Sequence, residues 1–221
     1  MIILGLTGSI GMGKSTAAGM LRRLGCRVDD ADAAVHRLMG PGGRALPAIE
    51  AAFPGVTGPN GVDRQALGGQ VFGDAAALGR LEGILHPLVS QERDRFLKRC
   101  ARDHVGVAVL DVPLLFETGL DRGCDLTILV TAPRIVQAHR VLKRPGMTRA
   151  KLADIRRRQM PEVEKRRRAD IVIQTGRGRR PVLQALRRAL KLAKARGGRH
   201  WPPGPRPRFD RPRRARGRAR G

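Results

Sequence analysis

No apolar run in this chain approaches the length of a bilayer span, and its first residues carry neither a charged leader region nor a small-residue cleavage site. Membrane-spanning and secreted classes are therefore set aside, and a cytoplasmic protein is expected. Cysteine is scarce, with Cys26, Cys100 and Cys124 showing no C-x-x-C or Cys/His ligand spacing, so reduced thiols are expected rather than a disulfide framework or a zinc site. The histidines are scattered at His36, His86, His104, His139 and His200 and form no metal cluster. No segment repeats.

Acids are also few: 19 against 44 lysines and arginines, a formal net charge of +25. Such an excess points to nucleic acid only if it is concentrated on a folded surface. Residues 196–221 contain ten arginines and one aspartate, which gives +9, and the other 195 residues carry +16. That last stretch is rich in proline and glycine and nearly free of aliphatic residues, so a disordered basic tail is expected. Trp201 and Phe209 are its candidate stacking groups, and weak non-specific attraction for polyanions is the most it implies. No specific nucleic acid and no membrane partner is expected.

Against these absences stands Gly8-Ser9-Ile10-Gly11-Met12-Gly13-Lys14-Ser15-Thr16, which fills the G-x-x-x-x-G-K-[ST] phosphate-binding pattern. The apolar run Ile2–Thr7 before it suits a buried strand. Ala17, Leu21 and Leu24 after it keep helical spacing, with Gly25 placed to end the helix. Glycines let successive backbone N–H groups curl around a phosphate at a helix N-terminus. Lys14 supplies a charge for the β- and γ-phosphates, and the Ser15 hydroxyl is placed to ligate the Mg2+ that bridges them. A nucleoside triphosphate is the expected ligand.

Further along, residues 26–30 read as a second strand ending in carboxylates, followed by a helix through Leu38. Glycine and proline punctuate a loop-rich connection with a short helix over 40–62, and 63–103 is helical, with Pro87 marking a break or kink. Val105–Asp111, Leu126–Thr131 and Asp170–Gln174 are further strands, and helices are expected at 133–144, 148–168 and 181–195. Alternating strands and helices indicate an α/β fold with a parallel sheet, whose ligands gather at the carboxyl ends of the strands. The phosphate loop, Asp30 with Asp32, and Asp111 through Glu117 then converge on one rim.

These segments resemble the dephospho-coenzyme A kinase family. The resemblance rests on Leu6–Thr16, Asp30-Ala31-Asp32, Leu85-His86-Pro87-Leu88, Val112–Glu117, Gln137-Ala138-His139-Arg140 and Ala169–Ile173, and spans residues 2–195. It implies a P-loop NTPase-type five-stranded parallel sheet flanked by helices. The core would comprise about 1–39 and 104–195, with a helical substrate-binding insertion at about 40–103 and a lid at about 140–160. It also implies phosphorylation of the ribose 3′-hydroxyl of dephospho-coenzyme A by ATP, with Mg2+. On that pattern Gly8, Gly11, Met12, Gly13, Lys14, Ser15, Thr16 and Arg140 bind ATP, and Lys14 and Arg140 share the catalytic work with Asp32. Asp32 faces the acceptor hydroxyl, and His86, Pro113 and Leu114 line the acceptor site. From its place after a core strand Asp111 is a candidate indirect partner of the metal, with Pro113 and Glu117 as the alternative, shaping the substrate cleft. Two departures bear on it. Ser9 replaces a frequent glycine, which would be strained only at positive φ. Thr175 stands where an asparagine-containing turn is usual, which leaves the adenine side open. For Asp30 and Asp32 the alternative is helix N-capping, and for Arg140 a solvated helix charge. Other small-molecule kinases share the loop and lid, and an RNA-stimulated ATPase would use the tail.

Overall fold

The computed structural model describes residues 1–202. In chain order the first elements are β1 (Ile2–Thr7), α1 (Lys14–Arg23), β2 (Arg27–Asp30), α2 (Ala31–Met39), α3 (Leu46–Ala52), β3 (Thr57–Gly58) and β4 (Gly61–Val62). There follow α4 (Arg64–Val71), α5 (Ala75–Arg102), β5 (Val107–Asp111), a 3-10 turn at Leu120–Gly123, and β6 (Leu126–Thr131). The chain then forms α6 (Arg134–Leu142), α7 (Arg149–Arg158), α8 (Glu162–Arg168), β7 (Ile171–Gln174) and α9 (Arg179–Arg196).

The apolar runs are strands because they are buried on both faces. β1, β5 and β6 have no exposed residue, which only a sheet covered on both sides permits. The sheet order is β2-β5-β1-β6-β7, with parallel pairing throughout. Its register sets Leu6 and Asp30 opposite Asp111, Thr7 opposite Leu129, and Thr131 opposite Gln174. The carboxyl ends therefore share one rim, with β1 at its centre, which is where ligands bind in such sheets.

One face packs Leu4, Leu6, Val109 and Ile128 against Ala17 and Leu21 of α1 and Val182, Leu186 and Ala189 of α9. The other packs Ile3, Ala108 and Leu110 against Leu97 and Cys100 of α5, together with Leu115 and Cys124. Each fully buried leucine here contributes about 1.5–3 kcal/mol of transfer free energy. Contact is close enough that a Cβ on Gly5 would lie 2.8 Å from Leu115 and 2.9 Å from Cys124. A separate cluster of Leu38, Met39, Ile49, Phe53, Val56, Leu67 and Ala77 gives the segment between β2 and β5 its own core, shared with α2.

Four local expectations change. Pro87 does not end a helix: α5 runs through it from Ala75 to Arg102. The proline ring removes one backbone donor, and neighbouring Leu85, Leu88 and Val89 pack on the small cluster and hold the turn in place. Residues 57–62 form a hairpin, with Gly61 at φ 93°. The helix expected over 148–168 is two helices, because Pro161 caps α8 and cannot continue α7.

The fourth concerns the expected tail. α9 runs to Arg196, and residues 197–202 continue along the sheet rather than leaving it. One oxygen of Asp125 accepts from Ile3 N (2.7 Å) and the other from Arg199 N (2.6 Å) and His200 N (3.1 Å), while Trp201 packs on the cluster around Leu97. A half-buried carboxylate that takes two backbone donors on one oxygen ties so short a segment to the sheet. Phe209 and the rest of 203–221 lie outside the described residues.

Candidate active site

At the end of β1 the chain turns through Gly8–Gly13, with Gly11 at φ 73° and Gly13 at φ 87°, conformations that glycine adopts without strain. Close approach adds to this: a Cβ on Gly8 would sit 2.5 Å from Val130, and one on Gly11 2.5 Å from Val141. Ser9 is not among the residues with positive φ, so its replacement of glycine is unstrained. α1 starts at Lys14 with no side-chain cap and no acid in its first turn. The first N–H groups of such a helix have no internal acceptor, and here they open onto a cleft of about 630 Å³. Gly8, Ser9, Ile10, Gly11, Met12, Gly13, Lys14, Ser15 and Thr16 all line it.

The loop is braced from behind. Met12 is buried and its sulfur accepts from Ala132 N at 3.0 Å. The Thr175 hydroxyl, just beyond β7, donates to Met12 O at 2.7 Å and accepts from Arg140 Nη1 at 3.0 Å. Arg140 also donates to Thr175 O at 2.9 Å and reaches Gly11 O at 3.4 Å. Arg140 is therefore a half-buried, fixed cation on the wall of the cleft rather than a solvated helix charge. Thr175 takes over a bracing task that sequence reading left undefined.

Carboxylates gather where β2 and β5 end. Asp30 caps α2, its side chain accepting from Ala33 N at 3.1 Å, which leaves the exposed Asp32 on the cleft wall beside Pro113. Pro113 is held there by its carbonyl, which accepts from the Thr7 hydroxyl at 3.0 Å. Asp111, at the end of β5, receives Lys14 Nζ at 2.7 Å; the two side chains are 3% and 14% exposed. Burial pushes the Asp111 carboxyl above its ordinary range, Lys14 pulls it back, and nearby Asp30 and Asp32 push in the same direction as burial.

Two side-chain networks tie α7 and α8 to this rim. Buried Gln137 donates to Ile10 O at 2.8 Å, and its Oε1 accepts from Arg156 Nε (3.0 Å) and Nη2 (2.7 Å). Gln159 Oε1 reaches Ile10 N at 3.4 Å. Lower down, fully buried Lys165 pairs with Glu117 at 2.8 Å, and the same Glu117 oxygen accepts from Met160 N at 3.1 Å. Burial alone would raise the Glu117 carboxyl, but Lys165 and the backbone donor outweigh it and hold it below its ordinary value. The Thr131 hydroxyl donates to Glu162, closing the second network on β6.

The structure thus brings Asp32, Lys14, Arg140, Pro113 and the loop residues to one cleft. Leu114 and His86 do not line it: Leu114 is 41% exposed beside it, and His86 lies on the exposed side of α5. Sequence reading noted Arg144 beside Arg140 without giving it a role, and missed Gln159, Gly176 and Arg179 on the cleft wall. For Gln159 the signal was the break that Pro161 enforces two residues on; for the rest no local signal exists.

The cleft is chemically asymmetric. Backbone amides and cations line one part of it and the Asp32 carboxylate another, and a polyphosphate is favoured beside the first. On a parallel sheet with a glycine loop after its central strand, that arrangement is the one used by P-loop kinases.

Comparison with known proteins narrows the class. The family model described as dephospho-CoA kinase matches residues 2–179. The dephospho-CoA kinase of Rhodospirillum rubrum is 57% identical over 201 residues, 90% of this chain and 95% of that protein. That of Novosphingobium aromaticivorans is 58% identical over 176 residues, 79% of this chain and 86% of that protein. Among solved structures, TT1252 from Thermus thermophilus superposes with a TM-score of 0.75 at 35% identity, covering 86% of this chain and 96% of its own. A shikimate kinase from Acinetobacter baumannii, at 16% identity and a TM-score of 0.51 over 88% of this chain and 94% of its own, shares the fold alone. This chain belongs to the dephospho-CoA kinase family.

Proposed function

We propose that the cleft performs this family's reaction with the residue roles set out below. The enzyme transfers the γ-phosphoryl group of ATP to the ribose 3′-hydroxyl of dephospho-CoA, giving CoA and ADP, the last step of CoA synthesis. The observation that carries the role assignment is the carboxylate of Asp32, left uncommitted by Asp30's capping and lining the same cleft as the phosphate loop.

The amides of Gly11–Thr16 hold the β- and γ-phosphates, and Lys14 moves from Asp111 toward the phosphate oxygens. Arg140, fixed by Thr175, and Arg144 add positive charge where negative charge spreads in the transition state. The acceptor 3′-oxygen attacks Pγ while the bond from Pγ to the bridging oxygen breaks, and that electron pair leaves with ADP. Asp32 accepts the hydroxyl proton. Pro113 shapes the adjoining wall, with Leu114 at its edge, and His86 stands further out on the acceptor side. The Gln137–Arg156 link holds α7 over the loop, which keeps water from competing for the phosphoryl group.

The hard oxygen donors Ser15 and Asp111 fit Mg2+, and among the described residues no group of three His, Cys, Asp or Glu forms a metal site without the nucleotide. When bound with ATP, Mg2+ neutralises charge on the β- and γ-phosphates. We place the enzyme in the cytoplasm. Three buried free cysteines support this, and among the described residues no helix is long and apolar enough to cross a membrane.

The test is ADP release by the purified full chain in a coupled assay, with dephospho-CoA, nucleoside monophosphates or no acceptor. ADP release that depends on dephospho-CoA, unchanged on removal of residues 203–221, is expected. ADP formation indifferent to dephospho-CoA, or driven instead by added RNA, would overturn the assignment.

A further inference from the structure

A basic excess points to nucleic acid where it is gathered on a folded surface, and α9 gathers it. This helix carries seven lysines and arginines and no acid. Val182, Leu186, Ala189, Leu190 and Ala193 are buried and fix its core face. At ~100° per residue Arg180, Arg187, Lys191 and Lys194 fall within roughly 60° of one another round the axis and span ~21 Å along it. All four are exposed. Among the described residues none of them is in an ion pair.

The stripe has a neighbour of the same sign. α1 packs beside α9 and shares its cluster through Met20 and Leu21. It too lacks an acid, and Arg22 and Arg23 are exposed and without an ion pair at its end. Burial raises the Cys26 thiol and Lys194 opposes the rise, which sets Lys194 near the turn just past those two arginines. Stripe and arginine pair therefore adjoin as one cationic surface. Its charges repel one another, so it gains most from an anion that meets several of them at once.

Shape selects that anion. The buried apolar residues of α9 are spent on the core, and exposed Leu192 lies about 120° round the helix from Arg180, so the stripe has no apolar flank with which to enter a bilayer. Each strand of a duplex turns once in ~34–36 Å and leaves a straight ~21 Å line after little more than half a turn. A single strand, which RNA offers in loops and at ends, can follow the line. Neither α1 nor α9 carries an aromatic residue to stack a base, so the contact is with phosphates and is indifferent to sequence. We propose that Arg180, Arg187, Lys191 and Lys194, with Arg22 and Arg23, dock the phosphate backbone of single-stranded RNA. None of the six lines the catalytic cleft, so docking leaves phosphoryl transfer unchanged.

The test follows a labelled oligouridylate of about 20 nucleotides binding to the full chain, by fluorescence anisotropy, from about 50 to 200 mM salt. Each phosphate contact on a single strand contributes about −0.7 to the slope of log K against log salt. Arg187→Gln, Lys191→Gln and Lys194→Gln together should make the slope shallower by about 2 and weaken binding at the low-salt end by roughly 10- to 100-fold. Lys191→Gln alone should take away about 0.7. Glutamine keeps a helix propensity close to that of lysine and arginine, so kcat and both KM values should stay within about twofold of wild type. The same charge change at Lys98, Arg122 and Arg134, which are exposed and lie off this face, should leave affinity and slope near the wild-type values. The basic residues of 203–221 are present in every variant, so their share cancels. An unaltered slope in the triple variant, an equal loss in the control, an equal loss toward an RNA duplex of the same length, or tighter binding to phosphatidylglycerol vesicles than to the oligouridylate would each overturn the proposal.

Discussion

Replacing Lys14 by methionine tests the electrostatics of the cleft apart from turnover. Lys14 Nζ stands 2.7 Å from Asp111 Oδ1, and the Asp111 side chain is 3% exposed. Removing the ammonium leaves a buried carboxylate whose remaining neighbours, Asp30 and Asp32, both repel it. Breaking a buried pair from one side typically costs 3–5 kcal/mol, and about 3 kcal/mol is expected here because Lys14 is 14% exposed and the carboxyl can take up a proton. The sign with pH follows from that proton. Asp111 already has a raised folded-state pKa, and without Lys14 it rises further, so the folded variant binds a proton that the unfolded chain has released above about pH 4. The variant is then relatively stable at low pH and loses stability as pH climbs through the folded pKa. Urea unfolding of wild type and Lys14→Met at pH 5.5 and pH 8 measures this. The deficit should be larger at pH 8 by up to about 1.4 kcal/mol per unit by which the pKa has moved within that window. Adding Asp111→Asn should remove most of the pH dependence. A deficit independent of pH, or absent at pH 8, would refute the pairing as the dominant interaction of Asp111.

Glu117→Gln should destabilise the fold by about 3–5 kcal/mol in urea, because it strands the fully buried Lys165, and a loss under about 1 kcal/mol would contradict this. In wild type the pair's contribution is present above the unfolded glutamate pKa of about 4.3 and is lost as pH falls through the lower folded value. Burial, aided by Asp121 and Asp125, pushes the Cys124 thiol up to about 12, and Cys26 and Cys100 are also buried and raised. All three should therefore resist iodoacetamide at pH 8 in the folded state and react in urea, and rapid labelling of native protein would refute their burial.

The sheet and the phosphate loop were readable in the sequence because their causes are local. Buried strands leave unbroken apolar runs, as at Leu126–Thr131, and the glycine loop must sit between strand and helix to work. Asp32 could be singled out but not separated from the cap by spacing alone; that needed the bond from Ala33 N to Asp30. The bracing of the site was not readable, since Thr175 meets Met12 across 163 residues, Gln159 meets Ile10 across 149, and Gln137 meets Ile10 across 127. Such contacts arise from sheet order and leave no periodic trace. Pro161 offered a helix break that the expected helix over 148–168 passed over, whereas the docking of Arg199–Trp201 was hidden behind a composition that otherwise favours disorder.

In the proposed mechanism the carboxylate freed at Asp32 takes the proton of the acceptor hydroxyl beside a triphosphate gripped by the loop. Steady-state turnover of Asp32→Asn with ATP and dephospho-CoA is the decisive measurement. A fall in kcat of about 10²–10⁴-fold, with KM for ATP within about twofold of wild type, is the predicted result. An Asp32→Asn enzyme turning over within tenfold of wild type would contradict it.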